Sequence, residues 1–116
     1  MMQQVRVPHR IRFVTRHGNN EQRYEFCGDL NHEWMIVGDS VEGICEDQEG
    51  TTRFQCHRGR NGAIDYEPFK GPAPHYSNLF DVPMQRHQQI TITEPLEQKT
   101  YKYKIKDVEP QHKTRP

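Results

Sequence analysis

No run of about 18 apolar residues occurs in the 116-residue sequence, so no segment has the length of a membrane-spanning helix. Residues 1–12 carry arginines without the apolar centre of a secretory signal, and a cytoplasmic protein without membrane contact is expected. Cysteine is scarce. Cys27, Cys45 and Cys56 cannot all pair within the chain and are too few for a disulfide-built scaffold, so reduced thiols are expected. Net charge is absent too, because 16 Lys and Arg balance 16 Asp and Glu; total charge therefore points to no class of partner. Apolar residues make up only 32% and the mean hydropathy is −1.07, yet zero net charge removes the self-repulsion that accompanies disorder. A folded but polar single domain follows. No stretch keeps a 3.6-residue apolar period, and there is no internal repeat, nucleophile elbow, phosphate loop or zinc-protease helix. No enzymatic activity and no cofactor are expected.

What the chain does have is alternation. Tyr101, Tyr103 and Ile105 alternate with Lys102, Lys104 and Lys106, and Ile90 and Ile92 alternate with Thr91 and Thr93. Each pattern places apolar groups on one face of a half-buried strand. Residues 94–98 are short enough to turn the second strand against the first. Ile11, Phe13 and Thr15 oppose Arg10, Arg12, Val14 and Arg16 in the same way, and Tyr24 and Phe26 point inward from a strand at Arg23–Cys27 that follows the Gly18-Asn19-Asn20 turn. Trp34, Met35, Ile36 and Val37 are apolar on both faces, which predicts a central strand at Glu33–Val37, ended by a turn at Gly38-Asp39-Ser40.

Val41–Glu46 and Thr51–His57 form a hairpin for which two registers exist. A four-residue loop sets Val41, Gly43 and Cys45 opposite Cys56, Phe54 and Thr52. A tighter turn sets Cys45 opposite Cys56 but puts Asp47 beside Phe54. The first keeps one apolar face and is preferred. Short strands are also expected at Ala63–Glu67 and Asn78–Val82, separated by the irregular, proline-rich Pro68–Pro74.

About seven to nine short strands joined by turn clusters argue for an all-β antiparallel sandwich, with a small closed β-barrel as the alternative. The domain is expected over residues 9–107, with a flexible lead-in at 1–8 and a flexible tail at 108–116.

Two sets of residues are candidates for chemistry. Cys27, His32, Cys45, Cys56 and His57 are the residue types that bind zinc or copper, but no two cysteines have the close spacing of a structural zinc site, and packing as small hydrophobes accounts for the thiols. Arg10, Arg12, Arg16, Arg58 and Arg60, joined by Arg6, could line an anion- or nucleotide-binding surface, with Tyr76 available to stack on bases. Against them stand nine acids in residues 18–52, where Arg23 is the one base; these repel phosphate and tend to intersperse with the arginines. Cys56 beside His57 is no catalytic dyad, since neighbouring strand residues face opposite ways.

Two resemblances attach to these residues. Phe54-Gln55-Cys56-His57-Arg58-Gly59 resembles the copper-binding loop of cupredoxins, which implies a sandwich of cupredoxin- or immunoglobulin-like architecture; here the loop is mid-chain with no methionine ligand following. Arg12 and Arg16, followed by Asp39, Ser40 and Gly43, resemble the motif of PilZ domains, which implies cyclic dinucleotide binding, although Asp39 stands one residue too close to Ser40. The expected function is a non-catalytic binding or accessory module working through protein–protein contacts, with a protein partner or a homodimer formed through a sheet edge. A nucleotide or nucleic-acid binder using the arginines is the alternative.

Overall fold

The computed structural model describes residues 7–17, 20–67 and 74–111. Eight antiparallel strands follow one another as a simple meander: β1 (Val7–His17), β2 (Asn20–Leu30), β3 (Ile36–Asp47), β4 (Gly50–His57), β5 (Ala63–Glu67), β6 (His75–Ser77), β7 (Gln89–Glu94) and β8 (Lys99–Pro110). Each strand pairs with the next, and β8 pairs back onto β1, closing a barrel. The sheet thus takes the barrel alternative; the two-sheet sandwich is not formed. The two architectures share the same local signature, alternating apolar and polar faces, and differ in whether the first and last strands meet. Here His9–Val14 lie against Lys104–Pro110, with a register shift between Arg12 and Phe13 that bends the closing pair.

An eight-stranded barrel is just wide enough for side chains to fill. Ile11 and Phe13 of β1, Tyr24 and Phe26 of β2, Cys45 of β3, Phe54 and Cys56 of β4, Ile90 and Ile92 of β7, and Tyr103 and Ile105 of β8 make up that core. Phe13 lies edge-on to Tyr103 with 5.5 Å between ring centroids. As expected, Tyr103 and Ile105 are buried and Lys102, Lys104 and Lys106 exposed; Tyr101 is half-buried. The β3–β4 hairpin adopts the expected register, with Val41, Gly43 and Cys45 opposite Cys56, Phe54 and Thr52. Gly43 lets the sheet coil tightly here. A Cβ on it would collide with the Glu25 carbonyl oxygen and come within 2.7 Å of Phe26 Cβ.

The β6–β7 connection plugs one end of the barrel with buried Leu79, Phe80 and Met84. Its 3-10 turn at Leu79–Asp81 replaces the strand expected at Asn78–Val82, because Asp81 N–H bonds back to the Asn78 carbonyl and closes a turn. The strand expected at Glu33–Val37 is displaced as well. Asn31 Oδ1 accepts the N–H groups of Glu33 and Met35, so residues 31–35 form a tight turn, and Trp34 adopts a left-handed φ of 65° with its carbonyl accepting the Met84 N–H. Nor does Gly38-Asp39-Ser40 end a strand. Gly38 takes φ 112°, a conformation open to glycine, and β3 bulges away from β2 there while continuing to Asp47. β8 likewise runs to Pro110, three residues into the segment read as a tail. Residues 1–6, most of Pro68–Pro74 and residues 112–116 lie outside the described residues. No helix among the described residues is long and apolar enough to cross a membrane.

Candidate functional site

Among the described residues, the arginines singled out from the sequence point outward, and each is engaged by a different part of the chain. On β1, Arg10 binds Glu109 of β8, while Arg12 lies between Glu25 of β2 (3.1 Å) and Asp107 of β8 (3.9 Å). Register accounts for this, since Arg10 is opposite Glu109 and Arg12 is opposite both Glu25 and Asp107. Arg58 follows β4 and holds the end of the barrel together. Its Nε donates to the Gly38 carbonyl (2.9 Å), its Nη2 donates to the Ile36 carbonyl (2.6 Å), and its guanidinium lies 4.5 Å over the Phe80 ring. Arg60 approaches Asp65 at 3.4 Å. The Arg16 side chain and Arg6 lie outside the described residues. Arg12 on β1 is held by acids of β2 and β8, whereas Asp39 and Ser40 sit at the bulge of β3.

The five metal-ligand types are dispersed too. Cys45 and Cys56 face the interior, and Cys27 faces solvent. His32 sits in the β2–β3 turn beside Glu33, and His57 faces outward, 2.9 Å from Asp65. No group of three or more His, Cys, Asp or Glu is placed to hold a metal among the described residues. Burial pushes the Cys56 thiol up to about 12, away from the thiolate that binds metals and attacks electrophiles, and its Sγ donates to the Gly62 carbonyl.

The interior nearer the β1–β2 turn is polar but satisfied. The Tyr24 and Tyr66 hydroxyls are 2.7 Å apart, Tyr66 is 3.0 Å from His75 Nδ1, and the Tyr103 hydroxyl donates to Gln22 Oε1 at 2.6 Å. Burial holds all three phenols above their ordinary range. These groups link β2 to β5 and to β8 across the interior and are engaged with one another.

A hollow lies on the outside of the sheet. A depression of about 680 Å³ crosses β3, β4 and β5, lined by Glu42, Ile44, Arg53, Gln55, Asp65 and Glu67, with the backbone around Gly43, Phe54 and Tyr66 as its floor. Pairing builds this surface: Glu42 is opposite Gln55, which is opposite Asp65, while Ile44 is opposite Arg53, which is opposite Glu67. Asp65 is taken by His57 and Arg60, whereas Glu42, Arg53, Gln55 and Glu67 have no side-chain partner among the described residues. None of these residues stood out in the sequence. A signal was present in the alternation of Glu42, Ile44 and Glu46 with Val41, Gly43 and Cys45, but the acids of β5 join them only through β4.

No protein-family model, curated protein or solved structure matches the chain.

Proposed function

We propose that the protein is a non-catalytic binding or accessory module acting through protein–protein contacts, with the outer β3–β4–β5 face as its contact surface. The contrast between a filled interior and an outer hollow lined by unengaged Glu42, Arg53, Gln55 and Glu67 carries the proposal. Charged groups already bonded within the chain have little to offer a partner, whereas unengaged ones around an apolar Ile44 can pair with a partner without first breaking a bond. Closure of the barrel gives each strand a neighbour on both sides, so among the described residues unpaired backbone is left at strand ends and along the short β6 seam rather than along a whole free edge, and face contact is favoured. The arginine-lined nucleic-acid surface is disfavoured, because Arg10, Arg12, Arg58 and Arg60 are engaged within the chain. In the cytoplasm, the setting this proposal assumes, the three thiols stay reduced.

A photo-crosslinking residue at Gln55 tests the proposal. Irradiation in extract, or of the purified protein, is expected to give a discrete protein adduct that the same residue placed at the exposed Asp29 of β2, on the flank between β4 and β8, does not give. Equal labelling from both positions, or no protein adduct at Gln55, overturns it.

A further inference from the structure

Among eight strands in a ring, β8 lies diametrically opposite β4. The outer faces of these two regions carry opposite charge. Across β3–β4–β5, Glu42, Glu46, Asp65 and Glu67 outnumber Arg53. On β8, Lys102 and Lys104 point outward beside Gln89 and Thr91 of β7 and Val14 of β1; no acid is opposite them and they have no partner among the described residues. Like charges recur at every second residue on β8 (Lys102, Lys104) and on β5 (Asp65, Glu67), a spacing of about 7 Å along a strand. A lysine also has an apolar stem that can cover Ile44 while its ammonium group reaches Glu42 or Glu67.

We infer that the occupant of the β3–β4–β5 hollow is a second copy of this chain, docking its β8 lysine row there. The inference rests on the proposed function and names its partner. Because the two surfaces are on opposite sides of one molecule, the contact is heterologous: each copy receives lysines on one side and offers them on the other. The product is an open row of barrels, and the attraction is steeply salt-dependent because the groups are exposed.

Sedimentation velocity over a concentration series tests this at about 10 mM and about 150 mM salt, where the screening length falls from about 30 to about 8 Å. At low salt the sedimentation coefficient is expected to rise with protein concentration without a plateau, and at high salt to return to that of a monomer. The variants Glu42→Gln/Glu67→Gln and Lys102→Gln/Lys104→Gln, all at exposed positions, each stay monomeric alone. Mixed in equal amounts they form a one-to-one pair that grows no further, since each supplies the surface the other lacks. A dimer that plateaus and persists in both variants overturns the inference. A monomeric wild type at low salt also overturns it: with a Gln55 cross-link to a different protein the proposed function stands, and without any cross-link both fall.

Discussion

Two flanks of the same barrel handle charge in opposite ways. On β8–β1–β2 the register places each described arginine of β1 opposite an acid, giving Arg10 with Glu109 and Arg12 with Glu25 and Asp107. On β3–β4–β5 the register places Glu42 opposite Gln55, and Ile44 opposite Arg53, so carboxylates and a guanidinium remain unbonded around a hollow. The arginine–acid pairs of the first flank close the barrel; the second flank keeps its charges free for others. Strand register, rather than composition, separates a surface that serves folding from one that can serve contact.

If the difference is confined to the outer surface, the cores beneath both flanks are equally tight. Ile105→Ala under the closed flank is expected to cost about 2–4 kcal/mol through the cavity it leaves. Gly43→Ala under the open flank is expected to cost about 1–3 kcal/mol or more, because the new methyl meets backbone. Denaturant titration measures both, and a harmless Gly43→Ala would show the open flank to be soft rather than merely unpaired.

Next in size is a pH effect from the groups filling the barrel beneath both flanks. Burial raises Tyr24, Tyr66 and Tyr103, and lifts Cys56 to about 12. In the unfolded chain the same groups lose protons near their ordinary values, about 10 for a phenol and about 8.5 for a thiol. Above those values the folded state therefore binds more protons than the unfolded one. The stability involved is complete below them and is lost as pH climbs toward the folded-state pKa values. Thermal midpoints are expected to fall between about pH 9 and about pH 11, and less steeply in Tyr24→Phe.

Smaller effects sharpen the contrast directly. Arg12→Ala is expected to cost about 0.5–1 kcal/mol at low salt and less at high salt, since it leaves Glu25 and Asp107 without their cation. Arg53→Ala and Lys104→Ala, which break no bond within the chain, are expected to change stability by less than about 0.5 kcal/mol in the same denaturant titrations. Smallest of all, labelled single-stranded RNA is expected to show no salt-sensitive binding that depends on Arg12 or Arg58. Micromolar binding abolished by Arg12→Ala would reverse the roles of the two flanks.

The alternation of Tyr101, Tyr103 and Ile105 with lysines made β8 legible, and the one-face rule selected the register joining Val41 to Cys56. Closure was not legible, because the pairing of Arg10 with Glu109 spans 99 positions and leaves no local trace. The apolar run Trp34–Val37 read as a strand because hydrophobicity alone does not reveal that Asn31 Oδ1 gathers the N–H groups of a turn. Arg10 and Arg12 looked available to a ligand because their acids stand on other strands. The hollow escaped notice for the same reason, since β4 is what carries Glu42 to Asp65.

Trp34 is the single tryptophan of the chain, and it stands at the plugged end, 41% exposed and edge-on to His9. Because its carbonyl accepts the Met84 N–H, the protein carries one optical reporter at the rim of its own stopper. Release of the plug would shift indole emission while the tyrosine signal, which originates mainly in the barrel wall, stays constant, so excitation at two wavelengths separates opening of that end from unfolding of the whole.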